Sequence, residues 1–292
     1  MKSGFVSLIG RPNVGKSTLL NSIINKKIAI TSSKPQTTRH LIQGIYNEAE
    51  YQIVFVDTPG IHKPKHKLGK QLNKQAYFSI NDVDIILFLV DITASLGTGD
   101  KFVIDKLKEV EKPVILVLNK IDQISKEEIL PKIDQYKNLY NFNEIVPLSA
   151  LKKDNVDRLL MVIKKYLKDN IKYYSSEYIT NVSKEFVVSE LIREKVIELT
   201  DEEIPHSISC FIEKIEDKEG LVTINASIIV DRDNLKKIII GKKGSMIKEI
   251  GIKARKDIEA YLEKKVYLDL FVKTISKWRD KEKYLIELGY KN

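Results

Sequence analysis

The chain has 292 residues, 43% of them hydrophobic and 30% charged, with a formal charge of +9 and one cysteine, Cys210. That length exceeds what one small core organises and points to two domains. A single cysteine excludes an internal disulfide, and the longest apolar stretch, Ile85 to Val90, is far short of the ~20 residues of a spanning helix, so a soluble, cytoplasmic protein is expected.

Residues 1–168 alternate strand-like and helix-like segments. Phe5–Ile9 reads as a buried strand and Lys16–Asn25 as a helix, with Gly10-Arg-Pro-Asn-Val-Gly15-Lys16-Ser17 between them. A Gly-x-x-x-x-Gly-Lys-Ser loop between a strand and a helix N-terminus is a polyphosphate cradle. Gly15 lets backbone N–H groups turn toward phosphate, Lys16 reaches the β- and γ-phosphates, and the Ser17 hydroxyl suits magnesium. Thr18 follows as a further nucleotide contact. Asn13 stands where potassium-stimulated GTPases carry a cation ligand; the alternative, that it only shapes the loop, stays open.

Strands are expected at Ile42–Tyr46 and Gln52–Asp57, after a polar loop holding Thr37-Thr38-Arg39. Thr38 is the expected switch hydroxyl on magnesium, with Thr37 in reserve. Asp57-Thr58-Pro59-Gly60 follows a buried strand, where Asp57 would hold magnesium through water and the Gly60 N–H would meet the γ-phosphate. Thr58 counts with the nucleotide set, and Lys16, Thr38 and Gly60 are the expected catalytic groups. Ile61 occupies the position of the water-orienting glutamine found in glutamine-dependent GTPases, so slow intrinsic hydrolysis is expected. The basic run His62–Lys67 comes next, either solvated or in touch with RNA.

Leu68–Ser79, Asp100–Glu109, Glu127–Leu139 and Asn155–Leu167 carry helical patterns, while Ile85–Val90, Val114–Leu118 and Glu144–Pro147 read as strands. Continuous apolar runs mark strands buried on both faces, hence a doubly wound α/β P-loop domain with its ligand at the carboxyl ends of the strands. At one such end lies Asn119-Lys120-Ile121-Asp122. The Asp122 carboxylate accepts the two donors on guanine's N1 and 2-amino group, which adenine lacks. Asn119 ties the loop to the phosphate site, the Lys120 stem covers the base, and Ser149-Ala150 offers a backbone N–H to guanine O6. In this order and at these strand ends, the motifs imply GTP and GDP as ligands with Mg2+, and K+ as a candidate.

Residues 169–182 are polar and Tyr-rich and read as a linker. From 183 to 292 the pattern changes to a helix at Ser183–Leu199, strands at Ser207–Glu216 and Leu221–Val230, helices at Asp233–Ile240 and Ser245–Leu262, and a strand at Lys265–Lys273. This α-β-β-α-α-β order, with Gly241-Lys-Lys-Gly244 between its central helices and Ser245 as an N-cap, is that of an α+β type II KH RNA-binding domain. Residues 171–292 are almost neutral, yet residues 232–256 hold nine Lys or Arg against two acidic residues. Gly241 and Gly244 admit a close nucleic-acid strand, while Lys242, Lys243 and Lys248 neutralise its phosphates. Trp278 is either a stacking platform or packing.

The P-loop, Gln36-Thr-Thr-Arg-His40, Asp57–Gly60, Asn119–Asp122, Ser149-Ala-Leu, Ile240–Gly244 and Glu249–Lys256 together resemble the Era family of bacterial GTPases across essentially the whole length. The resemblance implies a small-subunit assembly factor that binds the 3′ end of 16S ribosomal RNA and acts on the 30S subunit. It also implies peripheral association with the inner membrane face; a monomer is expected. A transfer-RNA-modifying GTPase lacks support, since no catalytic cysteine or second cofactor motif is present. An RNA chaperone, or a GTPase that uses Lys63–Lys70 on anionic lipid, remains as a rival.

Overall fold

The computed structural model describes residues 1–32, 34, 37–60, 66–201 and 204–290, the side chains of residues 77–79 and 206 apart. By contacts the chain forms two units: Met1–Thr31, Thr38–Lys63 and Leu72–Asn181 in one, and Ser32–Thr37, Pro64–Gln71 and Val182–Asn292 in the other.

The strands of the first unit are β1 (Lys2–Ile9), β2 (Ile42–Glu48), β3 (Tyr51–Asp57), β4 (Ile85–Asp91), β5 (Val114–Asn119) and β6 (Glu144–Leu148). Its connections carry α1 (Lys16–Ile24), α2 (Lys67–Asn81, of which the part up to Gln71 counts with the other unit), α3 (Thr98–Leu107), α4 (Lys126–Lys137) and α5 (Val156–Tyr166). The sheet order is β2-β3-β1-β4-β5-β6, parallel throughout except for β2, which runs antiparallel to β3. The apolar runs explain the centre: every residue of β5 and all of β4 up to Val90 are buried, as strands covered on both faces must be. The parallel pairing brings the carboxyl ends of β1, β3, β4, β5 and β6 to one edge, so the loops carrying the motifs are neighbours in space.

The stretch 169–181, read from composition as a linker, is hydrogen-bonded along this unit. Ile45 N–H donates to Ile179 O at 2.9 Å, and Tyr174 exchanges two hydrogen bonds with the Gln52 side chain. Polar composition without a period cannot distinguish a free tether from a strap paired to an edge.

The second unit contains α6 (Lys184–Leu199), the short α7 (Ile204–Ser207), β7 (Ile208–Lys218), β8 (Leu221–Val230), α8 (Asp233–Ile240), α9 (Ser245–Leu262), β9 (Lys265–Thr274) and α10 (Glu282–Glu287). Its sheet is β7-β8-β9, with β7 antiparallel and β9 parallel to β8, leaving β9 at an edge. The α6 helix begins at Ser183, whose hydroxyl accepts the Phe186 N–H. The helices α7 and α10 escaped the sequence reading because each spans only a turn or two. Among this unit's residues, the Lys34 ammonium donates to the carbonyls of Ile197 and Thr200 at the end of α6, a position that favours a cation. Arg193 is fully buried, held by both oxygens of Glu190, and donates to the Thr37 carbonyl.

Candidate functional site

The phosphate loop is built from its backbone outward. Gly15 occupies the N-cap of α1 with φ 97°, and a Cβ there would fall 2.2 Å from Asn119 Nδ2. Both the conformation and the space demand glycine. Lys16 is buried, and its ammonium donates to the carbonyls of Arg11 at 2.9 Å and Gly10 at 3.2 Å. Burial lowers its pKa to about 8, against the pull of nearby Asp57.

Three oxygens converge beside it. The Ser17 hydroxyl donates to Asp57 Oδ2 at 2.6 Å and lies 2.8 Å from Thr38 Oγ1, which is 3.4 Å from the same carboxylate oxygen. Asp57 is fully buried, and among the described residues its other oxygen has no hydrogen-bond partner. Burial raises its pKa to about 6, opposed chiefly by Lys16 and then by the Ser17 hydroxyl. Two hydroxyls around a buried carboxylate with a spare oxygen suit a hard divalent cation, so the residues fit magnesium. The choice between threonines follows from their partners: the Thr37 hydroxyl is taken by the Lys34 carbonyl at 2.7 Å, and Thr38 faces Ser17. Gly60 packs on the same loop, where a Cβ would lie 2.9 Å from Pro12. Thr58 turns its hydroxyl to the Leu8 carbonyl at 2.8 Å, so its side chain ties β3 to β1. Thr18 follows Ser17 on α1, half-buried.

On the base side, Asn119 joins three loops. Its Nδ2 donates to Val14 O at 2.8 Å, while its Oδ1 accepts from the N–H groups of Lys120 at 2.9 Å and Ala150 at 3.0 Å. The expected tie to the phosphate loop is therefore present, and the Ala150 N–H expected on guanine O6 is engaged by Asn119. Ser149 is buried and its hydroxyl accepts from the Lys152 N–H at 3.1 Å. Asp122 stands exposed in the short turn Ile121–Gln123. Lys120 has φ 73° and its ammonium pairs with Asp91, a partner with no motif of its own to announce it. Asn13 is exposed with φ 66°, a left-handed conformation that asparagine tolerates.

In the second unit the turn between α8 and α9 has Gly241 at φ 74° and Gly244 at φ 77°. A Cβ on Gly241 would lie 2.7 Å from that of Met246, whereas Gly244 opens onto free space. Lys242, Lys243 and Lys248 are exposed around it. Beyond the turn a groove of about 390 Å³ runs between α9 and the edge strand β9, lined by Ile247, Lys248, Ile252, Arg255 and Leu268 among others. An apolar floor with two cations on its wall suits unstacked bases and their phosphates. Arg255 was counted in the basic run but not singled out, because only the fold places it beside β9.

One open alternative is resolved and one expectation is corrected. Trp278 is fully buried, donates its indole N–H to Ser207 O at 3.0 Å and stacks on Tyr290, so it is packing and offers no face to a base. Ser245 is the first residue of α9, and the left-handed Gly244 takes the N-cap position. Ile61 and His62–Lys65 lie outside the described residues; His66 and Lys67 are exposed, with the Lys67 N–H on Asp280 at 3.1 Å.

A family model described as a 50S ribosome-binding GTPase matches residues 5–120, and a KH-domain model matches residues 203–279. The chain is similar to a single-residue variant of Aquifex aeolicus Era bound to GDP and AlF4−, at 42% identity and a TM-score of 0.96, with all of both chains covered. The same identity, coverage and TM-score hold for Era in complex with MgGDPNP and nucleotides 1506–1542 of 16S ribosomal RNA. Identity of this order over both domains, with the phosphate, metal and guanine motifs in place, settles the assignment: the chain belongs to the Era family of GTPases.

Proposed function

We propose that this GTPase binds the 3′ end of 16S ribosomal RNA through its KH groove, and that its nucleotide state sets when it does so during 30S subunit assembly. The observation that carries the reading is the full-length likeness, at 42% identity, to an Era that holds nucleotides 1506–1542 of that RNA. The G-domain model's description refers to the 50S subunit, but that match stops at residue 120 and leaves out the KH residues. The likeness that includes them favours the small subunit.

In this reading residues 1–168 bind GTP and residues 183–292 bind RNA. Ser17, Thr38 and Asp57 hold magnesium, which when bound offsets charge on the β- and γ-phosphates. Lys16 supplies a second positive charge there, and the Gly60 N–H meets the γ-phosphate. Asn119, Lys120, Asp122, Ser149 and Ala150 enclose guanine, with Asp122 setting selectivity. Gly241–Gly244 and Lys248 receive the RNA backbone, and Arg255 joins them at the groove. The protein works as a cytoplasmic monomer with peripheral association at the inner membrane face; among the described residues no helix is long and apolar enough to cross a membrane.

The test measures affinity for a single-stranded 3′-terminal 16S rRNA fragment at matched salt, with GDP and with a non-hydrolysable GTP analogue. A difference of ~5–150-fold between the two is expected, the usual range of coupling between sites. Gly241→Asp should abolish RNA binding while GTP binding persists. Equal RNA affinities in the two nucleotide states would leave a GTPase and an RNA tether that only share a chain.

A further inference from the structure

The connection from Asp91 to Asp100, between β4 and α3, belongs to none of the nucleotide motifs, yet it holds a residue of the phosphate loop. Arg11 extends its side chain over Gly97 and Gly99, where added Cβ atoms would lie 2.9 Å from Arg11 Nη1 and 2.7 Å from its Cδ. Its Nε ends 2.9 Å from Asp100 Oδ1. Asp100 is completely buried, and its other oxygen accepts the Gly97 N–H at 2.9 Å, capping α3. At the other end of the same arm, the Arg11 carbonyl accepts the Lys16 ammonium at 2.9 Å. One residue thus has its side chain anchored on α3 and its backbone on the lysine that serves the phosphates. The near end of the connection behaves alike: Asp91 receives Lys120 of the guanine loop, and the Ile92 N–H donates to Asn119 O at 3.0 Å.

We propose that Arg11 is a positioning residue for GTP hydrolysis: paired with Asp100, it fixes the first limb of the phosphate loop and with it the placement of Lys16. The physical reason lies in burial. Leaving a carboxylate with no exposure unpaired is costly, which keeps the Arg11 cation close to it even though its Nε–H forms no hydrogen bond to Oδ1. The two glycines complete the fit by leaving a track for the arm. Displacements of about 1 Å at a reacting centre cost on the order of 100-fold in rate, so a loop held this way matters to chemistry as well as to stability. The proposal rests on the GTPase assignment.

The experiment uses the full chain and measures steady-state hydrolysis at saturating GTP and Mg2+, with GDP affinity and Tm recorded for each variant. Arg11→Ala should lower kcat by about tenfold or more, and Arg11→Lys, which keeps the charge, should recover most of it. Asp100→Asn retains an acceptor for the Gly97 N–H but loses the ion pair, and should slow hydrolysis by a similar factor. The Arg11→Ala/Asp100→Asn double variant should be no slower than the worse single one, the mark of two residues acting as a unit. Gly99→Ala crowds the arm without removing a charge and should slow kcat by a smaller factor; it serves if Arg11→Ala fails to fold. A fall in Tm with kcat unchanged across these variants would overturn the proposal and leave the pair as a brace for α3. Additive losses in the double variant would overturn it too. Loss of GTP hydrolysis in the unmodified chain would instead remove the assignment beneath it.

Discussion

The two binding regions are built on opposite principles. At the nucleotide site everything is already close: Lys16, Ser17, Thr38 and Asp57 are buried against one another, and a methyl group at Gly15 would strike Asn119. At the KH turn the lysines are exposed, and the space over Gly244 is open. A compact, highly charged ligand with one shape rewards a preorganised pocket, because donors fixed beforehand need no reordering on binding. A flexible polymer is better met by an open wall of cations and an apolar floor that accepts successive bases. Glycine serves both, by tightness in one and by clearance in the other.

The largest effect should come from the base side. Asp122→Asn replaces a double acceptor with one acceptor and one donor, and should shift preference from GTP to xanthosine triphosphate by a factor on the order of 10,000. Nucleotide titration of the folded variant reads this directly, and unchanged GTP affinity would remove Asp122 from the base site.

The contrast between glycines is next in size. Gly15→Ala meets both an unfavourable φ and a clash with Asn119, so nucleotide affinity should fall by about 100-fold or more, consistent with ~3 kcal/mol of strain and lost tethering. Gly244→Ala meets only the backbone term, about 1 kcal/mol, and RNA binding should weaken by less than tenfold. Equal losses in the two variants, measured against their own ligands, would erase the distinction between tight and open sites.

The smallest effect concerns Asn13. Replacing sodium by potassium at equal ionic strength should speed hydrolysis, and Asn13→Ala should remove the difference with little change in GTP affinity. Identical rates in the two salts would leave Asn13 as a residue that only shapes its loop.

Much of this architecture was legible from the sequence because the governing signals are local. The apolar run Ile85–Val90 could only be a strand covered on both faces, and the Gly-x-x-x-x-Gly-Lys-Ser spacing carries its own geometry. What escaped depends on partners distant along the chain. Nothing in the pattern of Ile42–Glu48 tells that it runs antiparallel to β3. Asp100 looks like an ordinary acidic residue in a first helical turn until Arg11 is brought to it. Trp278 was ambiguous because an indole near a terminus carries no mark of burial; its hydrogen bond to Ser207 O exists only once the second unit has folded.

The strap at residues 169–181 bears on how the protein survives in the cell. A sheet edge with free N–H and C=O groups recruits strands from other molecules, and a polar, Tyr-rich stretch between domains is where proteases usually enter. Here each liability covers the other. Backbone groups of the strap occupy the outer side of β2, through Ile179 on Ile45 and the bridge between Thr180 and Gly44, and so deny that edge to a second chain. In return, backbone bridges near its two ends, Asp169 to Ser3 and Thr180 to Gly44, tie down a stretch that a protease would have to pull into its cleft.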